Sequence, residues 1–298
     1  MPFEIEHFTH AAPDGFRLAC ARIALPDPKG CVLVVHGAKE HKERYYPFMR
    51  ELAEAGWASM AFDLRGHGAS VGGDYPLGHW DSPDALVGDT VHLTAEARSL
   101  AGGGRLALLG HSLGSMLARM YLREHDTLID RLVLSGTAAY LAPAPAGVRL
   151  ASLICRVHGE RGYSSLLKQV VEGKDVSWVN SDEDELERYR SDPLCCGYRY
   201  TCAAVRALVE ANAEMKRLDR WRCANPGLPI LSVTGALDRR VALGEKGVAD
   251  ACDDLRRVGY RSVRSIVYPG LKHELLVGRQ RAQVMPDVLS FLEEGGGA

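Results

Sequence analysis

Six short apolar runs recur along this chain, and segments with helical spacing fall between them. The runs are Cys31–Val35, Trp57–Phe62, Arg105–Leu109, Arg131–Ser135, Pro229–Thr234 and Arg264–Tyr268. A continuous apolar run too short for a helix suits a strand buried on both faces. Tyr46 to Ala55 has helical spacing and is stopped by Gly56; Asp84 to Leu100 has it and runs into Gly102-Gly103-Gly104. Gln280 to Glu293 reads as a closing helix, with Pro286 as a point of interruption. Strand and helix in alternation predict an α/β fold: a mostly parallel central sheet flanked by helices. Upstream, Phe3 to Thr9 and Phe16 to Ile23 alternate apolar and polar residues around Pro13-Asp14-Gly15. That pattern predicts an antiparallel pair at the start of the sheet.

The rhythm breaks near Ala138. From Tyr140 to Trp221 the patterns are helical, with polar turns and no convincing strand. A chain of 298 residues is long enough for one sheet domain carrying an insert. The expected division is a core of residues 1–137 and 224–298, with 138–223 as a helical insert. Within the insert, Ser181 to Glu187 reads as an acidic helix start. Leu150, Leu153 and Ile154 fall at helical spacing and read as its internal packing ahead of lipid contacts. The tail Gly295-Gly296-Gly297 reads as a frayed end.

Composition narrows the function. A formal net charge of −2 gives no electrostatic reason to expect a nucleic acid partner. No apolar run reaches the length of a membrane span. Met1 to Glu6 shows no secretory signal, so the eight cysteines are expected as thiols in a reducing, cytoplasmic setting. There is no C-x-x-C pair and Cys195-Cys196 are adjacent, so no metal site is expected.

Chemistry enters with Gly110-His111-Ser112-Leu113-Gly114, a G-x-S-x-G pattern. A second match, Gly68-Ala69-Ser70-Val71-Gly72, lies in a glycine-rich loop with no helix after it. Only Ser112 has a strand before it and a helix after it. A serine on such a turn is held exposed at the end of a sheet. Its hydroxyl needs a base, and the base needs an orienting acid. On this kind of sheet those partners follow in the order acid, then histidine. His125 falls on or just after the helix that follows Ser112, and His158 lies in the insert. His273 sits in a loop just after a strand, where such residues gather. Asp238 also follows a strand and precedes His273; Asp253 and Asp254 are rivals in a helical pattern. Two backbone N–H groups should serve a developing oxyanion. Leu113 supplies one. The loop His36-Gly37-Ala38 supplies the other from Ala38, unless His36-Gly37 is only a strand-ending turn.

Taken together, these residues resemble the α/β-hydrolase family, in its monoacylglycerol lipase and lysophospholipase-like branch, grouped with the serine aminopeptidase-like hydrolases. The match is carried by His36 to His41 with Arg44-Tyr45, by Asp63-Leu64-Arg65-Gly66-His67-Gly68-Ala69-Ser70, by the serine turn, by Asp192-Pro193-Leu194, and by Pro269 to Glu274. The resemblance implies Ser112 as nucleophile, His273 as base and Asp238 as its orienter. It implies Ala38 and Leu113 as oxyanion donors, with no cofactor. It makes residues 138–223 a helical cap over an acyl pocket, able to touch a membrane surface transiently. It implies a small acyl ester or lipid substrate, such as a monoacylglycerol or lysophospholipid. His41, Arg44 and Tyr45 either line the pocket mouth or cap and solvate a helix start. Arg65 and His67 fix their loop. Two departures stand out: Lys39 replaces a small residue, and Cys195-Cys196 is one cysteine longer than the usual cap motif. An amidase of the proline-aminopeptidase kind and a slow-turnover binding protein are the rival readings. Dehalogenases and epoxide hydrolases need a carboxylate where Ser112 stands.

Overall fold

The computed structural model describes residues 3–171 and 175–295, so Gly296 and Gly297 of the tail lie outside the described residues. Its centre is an eight-stranded sheet in the order β1-β2-β4-β3-β5-β6-β7-β8. β1 (Glu6–Ala11) and β2 (Arg17–Ile23) form the expected antiparallel pair, and β2 is antiparallel to β4 (Ala58–Phe62). From there every pairing is parallel, through β3 (Gly30–Val35), β5 (Arg105–His111), β6 (Arg131–Ser135), β7 (Ile230–Gly235) and β8 (Val263–Tyr268).

Alternation along β3 shows why its apolar run is continuous. Cys31, Leu33 and Val35 pack into a core on one face of the sheet, while Val32 and Val34 pack into a second core on the other. A parallel strand covered on both sides needs apolar residues at every position. α1 (Tyr46–Glu54) and α9 (Arg281–Glu293) cover the Val32 face through Phe48, Leu52, Val288 and Phe291. α2 (Pro83–Leu100), α3 (Leu113–His125) and α8 (Gly244–Val258) cover the other through Leu93, Leu117 and Leu255. Gly56, at φ 86°, ends α1 as the sequence suggests. Pro286 does not interrupt α9. It forfeits one backbone hydrogen bond, and its neighbours Met285 and Val288 are buried against the sheet, which keeps the helix continuous.

Between β6 and β7 the described residues form helices and no strand: α4 (Ala144–His158), α5 (Ser165–Val171), α6 (Glu183–Ser191) and α7 (Cys202–Glu214). The acidic stretch at Ser181 opens α6, where Asp182 caps the helix through the Asp184 N–H. α4 and α7 pack face to face, with Ala151, Cys155, Ala204, Ala207 and Ala211 buried between them. The reading of Leu150 and Leu153 as internal packing is corrected. They are 49% and 57% exposed, and Val157, on the same face, is 74% exposed. Only Ile154 of that trio packs against the core. Small residues, not leucines, make the α4–α7 seam, and that leaves Leu153 outward and Leu150 on the wall of a cavity.

The register aligns the carboxyl ends of the parallel strands. Val35 pairs with Gly110, Gly110 with Leu134, and Gly235 with Tyr268. The loops after β3, β5, β7 and β8 therefore emerge side by side. Ligands of open α/β sheets bind outside these carboxyl ends.

Candidate active site

β5 ends at His111 and α3 begins at Leu113, so Ser112 alone makes the turn. It does so at φ 52°, ψ −112°, a conformation that side chains rarely adopt. The surroundings over-determine it. The Ser112 N–H donates to the Ser135 carbonyl at 3.0 Å, and the Ser115 hydroxyl donates to the Ser112 carbonyl at 2.6 Å. The two flanking glycines are steric necessities. A Cβ on Gly110 would lie 2.3 Å from the Gly114 carbonyl oxygen, and one on Gly114 would lie 2.2 Å from that of Val35. Ser70, by contrast, is fully buried, and its hydroxyl accepts the Ala19 N–H of β2 at 2.8 Å. It ties a loop to a strand.

Asp238 follows β7 and His273 follows β8. Their loops meet because Gly235 has no side chain: a Cβ there would lie 2.1 Å from the Lys272 carbonyl oxygen. His273 Nδ1 and Asp238 Oδ2 are 2.6 Å apart, with the residues 4% and 1% exposed. Burial alone would raise the Asp238 carboxyl, but the charge and hydrogen bond of His273 outweigh it and hold the carboxyl below its ordinary value. Burial alone would lower His273, but Asp238 outweighs it, Glu274 and Glu40 add to the effect, and the ring is raised above 6.5. The two directions agree with a pair stabilised in the charged form. Asp238 Oδ1 is engaged separately, accepting the Val241 N–H at 3.0 Å.

The competing residues stand elsewhere. His158 is exposed at the end of α4, and His125 lies against the Tyr121 ring. Asp253 pairs with Arg256 on the surface of α8, and Asp254 pairs with Lys216 and Arg257. None of these residues lines the cavity described below.

The loop after β3 is locked through its own polar groups. The Leu64 N–H donates to His36 Nε2 at 2.9 Å, so His36 Nδ1 carries the proton and donates to the Gly37 carbonyl at 2.7 Å. Burial pushes His36 down to about 3, which keeps it neutral in this role. The Gly37 N–H donates to Glu40. Gly37 must be glycine, since a Cβ would lie 2.9 Å from that of Ser112. Ala38 and Leu113 both line the cavity beside Ser112. Neither backbone N–H has an acceptor among the described residues. The His36-Gly37 turn is thus held by Leu64 and Glu40.

Ser112, His273, Ala38 and Leu113 share one cavity of about 460 Å³. The Ser112 hydroxyl makes no hydrogen bond among the described residues. Apolar side chains of α4 and α7, among them Leu150, Ala151, Leu208 and Val209, make the far wall. Glu40 and Glu274 are the carboxylates that line it among the described residues.

His41, Arg44 and Tyr45 do not line this cavity; His41 and Arg44 line a second one, of about 510 Å³, with Asp192. They stand one layer behind, where buried charges and hydroxyls must satisfy each other. Arg44 clamps Glu274 with both terminal guanidinium nitrogens and lies 3.5 Å from Glu40. Tyr45 donates its hydroxyl to Glu40 at 3.1 Å. His41 Nε2 is 2.8 Å from Asp192 of the helical segment. Burial pushes Glu40 up to about 7, with Arg44 opposing and Glu274 adding to the rise. Arg65 and His67 fix their loop as expected: Arg65 is bidentate to Asp89, at 2.6 and 2.7 Å.

His41, Asp192 and Cys195 bring one potential metal-ligand atom each within 4.8 Å of one another. The first two already satisfy each other, and burial drives the Cys195 thiol well above its ordinary value. A neutral thiol is a poor ligand, so the trio fits a packed joint better than a metal centre. Sequence reasoning missed Glu274 and Trp178 as site residues. Glu274 adjoins His273 and could have been tested for a cationic partner. Trp178, whose ring lies 5.2 Å from that of His273, carries no local signal.

A family model described as serine aminopeptidase, S33, matches residues 26–280. A monoacylglycerol lipase of Mycolicibacterium smegmatis is 28% identical over 267 residues, covering 89% of each chain. The mouse monoglyceride lipase is 27% identical over 241 residues, which are 79% of this chain and 74% of that one. Among solved structures, a thermostable carboxyl esterase from Bacillus coagulans superposes with a TM-score of 0.83 at 24% identity, covering 97% of each chain. A soluble variant of monoglyceride lipase from Saccharomyces cerevisiae superposes with a TM-score of 0.77 at 18% identity, covering 97% and 96%. At those identities the superpositions show a shared fold.

Proposed function

The chain belongs to the serine aminopeptidase S33 family, as a monoacylglycerol lipase-like α/β-hydrolase, and from that membership we propose that it hydrolyses carboxylic esters with Ser112, His273 and Asp238 as its catalytic triad. The observation that carries the reading is the His273–Asp238 hydrogen bond at 2.6 Å beside a strained serine turn that opens into an apolar cavity.

In this reading Asp238 holds the proton on His273 Nδ1, which leaves Nε2 free to take the Ser112 proton. Ser112 attacks the acyl carbonyl. The oxyanion forms against the Ala38 and Leu113 N–H groups, the second at the N-terminus of α3, whose dipole favours negative charge. The charge on Asp238 stabilises the imidazolium. His273 then protonates the leaving alcohol. A water, deprotonated by His273, releases the acid from Ser112.

The favoured substrate is a monoacyl lipid, a monoacylglycerol or a lysophospholipid. The apolar wall of α4 and α7 takes the acyl chain, and the Glu40–Glu274 side takes the hydroxyl-bearing alcohol. Relatives named as monoacylglycerol lipases support this choice. Residues 138–223 act as the cap. Its outward face, with Leu153, Val157 and Leu166 exposed, is the side that meets lipid aggregates.

The test is hydrolysis of an ester chain-length series by wild type and Ser112→Ala. Wild type should turn over the series and Ser112→Ala should not; equal rates would remove the reading. Preference for proline amides over every ester would move it to the aminopeptidase side of the family.

A further inference from the structure

Lys39 is left unexplained by the reaction. It follows Ala38 at φ 60°, in the left-handed region that glycine occupies most readily. A side chain here could point to solvent, yet Lys39 is only 8% exposed. Its ammonium donates to the Tyr198 carbonyl and lies 4.1 Å from the Tyr198 ring centroid and 5.1 Å from that of Tyr200. Its backbone N–H donates to the Tyr200 hydroxyl at 2.8 Å. Backbone and side chain of one residue thus tie the loop after β3 to the segment between α6 and α7.

The tie has a fixed polarity. His67 Nδ1 is 3.0 Å from the Arg65 carbonyl, which can only accept, so Nδ1 carries the proton and Nε2 accepts. Nε2 is 2.6 Å from the Tyr200 oxygen, so the Tyr200 hydroxyl donates to His67. The Tyr200 lone pairs then remain for the Lys39 N–H. The segment itself is seated on the core. The Thr201 N–H donates to the Gly78 carbonyl at 3.0 Å, and the Thr201 hydroxyl is 2.9 Å from His79 Nδ1.

On the loop, Glu40 takes the Gly37 N–H, His36 takes the Gly37 carbonyl and Tyr200 takes the Lys39 N–H. The Ala38 N–H between them is left without an acceptor among the described residues, and Ala38 lines the cavity. We propose that Lys39 and Tyr200 are positioning residues: they latch the Ala38 N–H in place for the oxyanion, and the latch holds only while the Tyr198–Tyr200 segment is seated. The proposal rests on Ala38 as an oxyanion donor. It makes catalytic competence depend on the seating of the helical segment, through a contact far from the acyl wall.

Two variants test it against an ester substrate, with Ser112→Ala run beside them. Tyr200→Phe keeps the ring and removes the acceptor. Lys39→Met keeps the stem and removes the ammonium. Losing an oxyanion donor outright costs about 10²–10³ in kcat, so a displaced donor should cost about tenfold, with KM within about twofold. The double variant should be no worse than the poorer single, because both break one latch. Lys39→Arg restores a cation over the rings and should recover most of the loss. Unchanged kcat in both single variants overturns the latch. A raised KM at unchanged kcat also overturns it, and places Lys39 in substrate binding. Amide hydrogen exchange over residues 37–40 should quicken in Tyr200→Phe; unchanged exchange there overturns the latch whatever the activity. If Ser112→Ala keeps wild-type activity, the hydrolase reading fails, and the exchange result still decides the latch. Should Tyr200→Phe fail to fold, Lys39→Met decides by the same two readouts.

Discussion

Replacing Asp238 by asparagine should nearly abolish activity, and the structure says why a substitution of the same shape cannot be silent. Asp238 has two engaged oxygens. Oδ1 accepts the Val241 N–H at 3.0 Å and Oδ2 faces His273 Nδ1 at 2.6 Å. An asparagine must place its one oxygen against the Val241 N–H, or leave that donor facing an NH2 group. Its NH2 then faces Nδ1 and donates to it. The ring proton moves to Nε2, where it cannot accept from Ser112. Where this tautomer exchange has been made in other serine hydrolases it costs about 10⁴ in kcat, or about 5.5 kcal/mol of transition-state stabilisation. The pH profile should move too. His273 must be neutral to act as a base, and Asp238 raises it above 6.5, so wild-type kcat/KM should fall on the acid side of a midpoint above 6.5. Without Asp238 the first cause left is burial, which lowers the ring, so the residual activity should lose its acid limb at lower pH. Initial rates on a short-chain ester across the neutral pH range measure both effects, with Asp253→Asn as the control. A loss smaller than about tenfold, or an acid limb that does not move, would refute the reasoning.

Other outcomes follow from the same geometry. Gly147 lines the cavity on α4, and a Cβ there would sit 3.1 Å from Val209 Cγ1. Each buried methylene is worth about 0.8 kcal/mol, so wild-type kcat/KM should rise about fourfold per added CH2 until the cavity is full. Gly147→Leu should bring the plateau to shorter chains; an unchanged plateau would place the acyl chain elsewhere. Arg44→Met should destabilise the fold by about 3–5 kcal/mol in denaturant melts, because it strands the buried Glu274 and Glu40 carboxylates; a shift under about 1 kcal/mol would contradict that. Leu153→Glu with Val157→Glu should weaken sedimentation with lipid vesicles and leave hydrolysis of a dispersed short-chain ester intact, since both side chains face outward. Equal sedimentation would show that this face does not meet lipid.

The sheet was legible in the sequence because burial on both faces demands unbroken apolar runs, as in Val32 to Val35. The Ser112 turn was legible because two glycines sit where a Cβ would strike backbone. The places of the exposed leucines on α4 were not. Helical spacing shows that Leu150 and Leu153 share a face, but not what covers it. Here alanines fill the α4–α7 seam, Leu153 stays outside and Leu150 lines the cavity. His41, Arg44 and Tyr45 were visible as a motif, while their place behind the cavity depends on Glu274 and Asp192, far away in the chain. The Lys39 latch depends likewise on Tyr198 and Tyr200, about 160 residues downstream. Long-range polar partners leave no local periodicity to read.

The central claim is that acyl groups pass through Ser112, and trapping that intermediate tests it most directly. A slowly deacylating ester, quenched in acid and analysed as intact protein and as peptides, should leave one acyl group on the peptide that contains Ser112. It should leave none on Ser112→Ala, and little on His273→Ala. Acyl groups on another residue, or turnover with no acylated Ser112 at any time, would contradict the account.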